Sequence, residues 1–166
     1  MEENKKIDTA FKLLDNVQNL IKFADTKINV LLVISGVSTS FILTNFQCLS
    51  ELNFFSKITL GLFFLAFISF VFLSIMTISP RTAKHTGDSP AKTIYFKHVS
   101  NRVEVKDFVD DFNRLTHESC LIDILYQVYE NSKIAEKKFD LYNKSLSVLQ
   151  IQIFLFFFLI AIKFLS

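Results

Sequence analysis

The sequence predicts an all-α integral membrane protein: three transmembrane helices, with a cytosolic helical bundle formed by extensions of the first and third spans. Three observations carry this reading. Charge vanishes from three long stretches of a chain that is 51% hydrophobic. Apolar residues at helical spacing lead into the first and third of those stretches from the charged segments before them. No Gly or Pro follows Pro90 to end the last helix.

No Asp, Glu, Lys, Arg or His occurs between Lys27 and Glu51, between Lys57 and Arg81, or from Ser145 to Ile162, gaps of 23, 23 and 18 residues. A hydrocarbon core about 30 Å thick needs roughly 20 helical residues at about 1.5 Å each, so every gap can span. Lipid offers the backbone no hydrogen-bond partner, and a helix satisfies its own within one segment. The spans are placed at 28–47, 58–79 and 145–165, with a turn at 48–57. The second is the most lipophilic, around Leu62-Phe63-Phe64-Leu65, and the third carries Phe156-Phe157-Phe158. The first contains Asn29, Ser35, Gly36, Ser38, Thr39, Ser40, Thr44 and Asn45. Two readings of it stand. Small and hydroxylated residues let helices approach, which makes this span the most buried and the lining of a polar path. Alternatively, its hydroxyls bond back to their own helix and do no more.

Orientation follows from Lys and Arg, which stay on the cytosolic side. Residues 1–27 hold five and 81–144 hold eleven, against one in the turn (Lys57) and one at the C-terminal end (Lys163). The N-terminus and 81–144 are therefore expected in the cytosol, and the turn and C-terminus outside, with Lys163 snorkelling to the outer interface. The first apolar run is too long for a signal peptide and lacks a cleavage site of small residues.

Residues 1–27 read as an amphipathic helix continuous with the first span, its stripe made by Ile7, Ala10, Phe11, Leu14, Val17 and Ile21. Residues 80–144 form the cytosolic helical domain. Its first part, 80–93, is a loop. Asn101 precedes Glu104 by three residues, which resembles a capping box. Val105, Phe108, Val109, Phe112 and Leu115 then make one face of a short helix expected to pack on the stalk. A last helix starts near 116–119 and runs about 45 residues into the third span. Apolar stripes left over on so small a stalk point to a homo-oligomer.

Chemical signatures of an enzyme are missing: no nucleophile elbow, Walker motif or zinc-helix motif occurs. His85, His98 and His117 lack metal spacing, and Cys48 and Cys120 stand far apart. The pattern implies no catalysis, no metal and no cofactor. A net charge of +2 argues against nucleic acid as a partner. Two constellations remain. Asp25 and Lys27 sit at the membrane edge, where Asp25 can pair with a basic residue of another helix; the alternative is a plain stop to the hydrophobic run. Tyr95, Phe96, His98 and Arg102, with Asp123, Gln127, Lys137 and the neighbouring Lys138, combine aromatic rings, cations and hydrogen-bonding groups suited to a nucleotide. Ordinary packing is the alternative. Asp123 and Gln127 share a helix face at i, i+4.

These pieces, in this order, resemble the transmembrane effectors of Pycsar antiphage systems. The resemblance spans most of the chain. It rests on Lys22-Phe23-Ala24-Asp25-Thr26-Lys27 before the first span, Ile94-Tyr95-Phe96-x-His98, Asp123-x-x-x-Gln127, and Lys137-Lys138-Phe139 before the last span. Ile28 stands where family members commonly carry Ala. The resemblance implies a partner cyclase that makes cyclic CMP or cyclic UMP, an effector that binds it in the cytosolic domain, and impairment of the bacterial inner membrane that ends in abortive infection. The competing reading is a structural or adaptor membrane protein whose stalk docks a protein partner.

Overall fold

A computed structural model describes residues 2–45, 53–79, 99 and 103–165. Four helices lie among them: α1 (Glu2–Asn45), α2 (Phe54–Ile78), α3 (Val105–Asn113) and α4 (His117–Leu165). The expected loop at 80–93 and most of the turn lie outside the described residues. So do Asn101 and the aromatic segment after residue 93.

The long helices follow from their sequences. α1 runs 44 residues and α4 runs 49, each without Pro. α1 carries a seam at alternating spacings of three and four: Ala10, Leu14, Val17, Ile21, Ala24, Ile28, Leu31, Ser35, Ser38, Ile42. That is the heptad rhythm of helices packing side by side. Phe11 falls one position past Ala10, about 100° around the helix, and is 42% exposed rather than part of the stripe.

The chain divides into two compact units, with boundaries after Lys22 in α1 and after Glu136 in α4. In the first unit, Ala10 and Leu14 of α1 pack on Ile124 of α4, flanked by Ile7, Cys120, Leu121 and Val128. α4 starts on a reciprocal cap: the Thr116 backbone N–H donates to Ser119 Oγ at 2.9 Å, and the Ser119 N–H donates to Thr116 Oγ1 at 3.2 Å. Serine here fills the place of the usual capping-box glutamate. The start of α3 differs from expectation. Glu104 is the N-cap residue itself, extended and without a side-chain cap bond, not the third helical residue that a capping box requires. On the apolar face of α3, Phe108 is half-buried, whereas Val105, Val109 and Phe112 are exposed.

The second unit contains the apolar parts of α1, α2 and α4, stacked in two layers. Ile28, Phe70 and Leu149 form one buried cluster; Ile42, Leu60, Phe63 and Leu159 form the other. All three helices are long and apolar enough to cross a membrane, and the protein is a membrane protein. α2 begins at Phe54, four residues before the lipophilic run, so Lys57 is helical. The first span is not the most buried: its most apolar stretch is 28% buried, the same as that of α2. A narrow three-helix bundle shares its interior among all members.

Candidate functional site

Among the described residues, polar groups are buried in both units. In the first unit, α4 brings Asp123 and Gln127 to one face, one turn apart, at 6% and 9% exposure. Both interrupt the apolar rhythm of Ile124 and Val128, so burial comes from helix phase rather than from their own preference. Gln127 Nε2 has no hydrogen-bond acceptor among the described residues. Such a donor costs about 1–3 kcal/mol when left dry. Beside this pair, burial and then the Asp123 charge push the Cys120 thiol above its ordinary range. An open groove of about 420 Å³ lies elsewhere in the same unit, floored by Ala10, Leu13, Leu121 and Leu125 with Lys5 and Lys6 at its edge. None of the described residues among the sequence-predicted site residues lines it.

Tyr95, Phe96, His98 and Arg102 lie outside the described residues. Lys137 is exposed and belongs to the second unit. Its neighbour Lys138 is the buried one, at 4% exposure. Lys138 Nζ pairs with Asp25, so α1 and α4 are joined by an ion pair at the edge of the apolar stretch. Asp25 thus pairs with a basic residue of another helix, one of the two readings its sequence position allows. Lys27 stays exposed, its Nζ 4.3 Å from the Phe23 ring centre and 5.9 Å from that of Tyr142. These are the distances of cation–π contacts.

Deeper in the second unit lies a group that sequence reasoning missed. Gln152 of α4 is fully buried, as is Ser35 of α1. Ser35 Oγ donates to Gln152 Oε1 at 2.8 Å, and Gln152 Nε2 donates to Thr39 Oγ1 at 3.2 Å. Thr39 and Ser38 in turn donate to the Ser35 carbonyl. The hydroxyls of the first span bond back to their own helix, and two of them also reach across to α4. Interhelical hydrogen bonds in membranes are worth about 0.6 kcal/mol on average. Leaving such groups bare in hydrocarbon costs several kcal/mol each. A signal for Gln152 did exist. From Ala135 the three–four rhythm runs through Lys138, Tyr142, Ser145 and Leu149 to Gln152. At the far end, Lys163 Nζ donates to the Asn45 carbonyl at 3.0 Å, on the last carbonyls of α1, which favour a cation.

Among the described residues no three His, Cys, Asp or Glu side chains gather as a metal site. A family model described as a Pycsar effector protein domain matches residues 9–165. No curated protein and no solved structure matches the chain.

Proposed function

The chain belongs to the Pycsar effector family and is a membrane effector of antiphage defence; on that premise we propose that a cyclic pyrimidine mononucleotide, cyclic CMP or cyclic UMP, activates it and that it then impairs the bacterial inner membrane. The observation that carries the reading is the buried pair on α4. Asp123 supplies an acceptor and Gln127 a donor without an acceptor among the described residues. A pyrimidine edge presents both complements. Tyr95, Phe96 and His98 would stack on the base, and Arg102 would neutralise the phosphate. The N-terminus and residues 80–144 would face the cytosol, where a partner cyclase supplies the ligand, and the C-terminus would face outward. Copies of the chain would assemble through the apolar surface left on the stalk.

α4 carries the pair and continues as one helix into the apolar stretch, so ligand energy has a rigid path toward the membrane. The ligand shifts the bundle only by its differential affinity for the two states. Calorimetry on detergent-solubilised protein tests the first step. Micromolar binding of cyclic CMP or cyclic UMP is the expected result, weakened at least tenfold by Tyr95→Ala or His98→Ala. Absence of binding to either nucleotide removes the proposal. One observation favours the adaptor reading instead: the apolar face of α3, with Val105 79% and Phe112 55% exposed, offers a protein partner a helical docking face. A pull-down dominated by one protein, with no nucleotide response, would support that reading.

A further inference from the structure

The middle of the membrane bundle is polar, and it lies between two apolar layers. Along α1, Ser35 stands seven residues from Ile28 on one side and seven from Ile42 on the other. Along α4, Gln152 falls between Leu149 and Leu159, which belong to the same two clusters. Ile28 and Ile42 thus each lie about 10 Å from Ser35 along α1, by helical rise, with Leu31 and Leu32 of the first layer nearer. Gln152 spends its amide on Ser35 and Thr39, and no Asp, Glu, Lys, Arg or His occurs between Lys27 and Glu51, Lys57 and Arg81, or Lys144 and Lys163.

This arrangement constrains what can enter if α1 and α4 part. Lipid tails cannot hydrogen-bond, so parting into lipid would strand the Gln152 amide and the Ser35 hydroxyl. Water replaces both bonds at little net cost. The apolar layers behave in the opposite way, since wetting them is unfavourable. We infer that the α1–α4 seam opens to water and not to lipid, with Gln152 and Ser35 as the hydrated waist of an aqueous path and the two apolar layers as its seals. This rests on the membrane-impairing reading above and adds its mode: a water-filled pathway rather than a thinned or lipid-invaded bilayer.

The test uses the full chain in liposomes loaded with a small fluorescent dye. Gln152→Glu places a carboxyl at the waist, and leakage is measured at pH 9. No charged group in the spans is available to pair with it. Gln152→Glu is expected to release dye at least tenfold faster than the parent without nucleotide. Gln150→Glu, two residues away on the exposed side of α4, should stay tight. Equal leakage from the two variants, or none from Gln152→Glu when it elutes as a monodisperse folded protein, overturns the inference. Gln152→Leu gives a second arm: leakage triggered by cyclic CMP or cyclic UMP should fall at least fivefold, whereas undiminished leakage overturns the waist. A parent protein that leaks with neither nucleotide counts against the nucleotide reading instead, and the Gln152→Glu arm still decides the waist.

Discussion

The two units treat buried polar groups in opposite ways. In the membrane unit, Gln152, Ser35 and Thr39 close on one another, and Ser74, Thr77 and Ser145 donate to carbonyls of their own helices. In the stalk unit, Gln127 keeps a buried donor with no acceptor among the described residues. Solvent explains the contrast. No water reaches the middle of a closed bundle in a bilayer, so a polar group there must be satisfied by protein while the seam is shut. A stalk stands in water, and a donor without a protein acceptor can await a ligand.

The largest test of this contrast breaks the ion pair at the membrane edge. Asp25→Asn leaves Lys138 charged and buried, and should destabilise the protein by about 3 kcal/mol, because a stranded buried charge keeps its desolvation cost. Lys138→Met removes the charge and keeps the volume, and should cost less than about 1 kcal/mol. Thermal unfolding in detergent reads both; equal losses would show that the pair stabilises by attraction alone. Next, Gln127→Leu should leave stability unchanged or raise it by about 1 kcal/mol, since it deletes an unsatisfied donor. The same change should weaken nucleotide binding about tenfold, roughly 1.4 kcal/mol. A clear loss of stability without loss of binding would place Gln127 in ordinary packing.

A smaller effect is expected at the start of α4. Thr116→Ala removes half of the reciprocal cap and should cost about 1 kcal/mol, seen as a lower unfolding midpoint without change in the membrane unit. The smallest concerns Cys120. Burial and Asp123 both disfavour its thiolate, so in a Cys48→Ser background maleimide labelling should be slow at pH 7 and climb with pH to a midpoint above the usual thiol value. Asp123→Asn should move that midpoint down. An unmoved midpoint would mean that burial alone sets it.

Much of the fold was legible because membranes leave blunt marks on sequence. Absence of charge located all three spans, and unbroken helical spacing gave α1 and α4 as continuous rods. Side-chain phase was harder. Lys137 and Lys138 are adjacent, and composition cannot say which turns inward. Only the rhythm carried forward from Ala135 selects Lys138. Gln152 stands in a span whose absence of charge does not register it, because an amide is polar without being ionisable. Its partners, 117 and 113 residues away in Ser35 and Thr39, depend on a pairing of helices that no local pattern records. Glu104 misled for a related reason: Asn-x-x-Glu spacing fits a capping box in one frame, and α3 starts in another.

The back-bonded hydroxyls of α1 have a mechanical side. Ser38, Thr39 and Thr44 each share a backbone carbonyl already engaged in the helical ladder, which loosens the ladder and favours bending. From residue 148 onward α4 has no Ser or Thr with which to do the same. One member of the seam is therefore a spring and the other a strut. Force applied to this pair would be taken up as curvature in α1, close to the hydroxyls that hold Gln152.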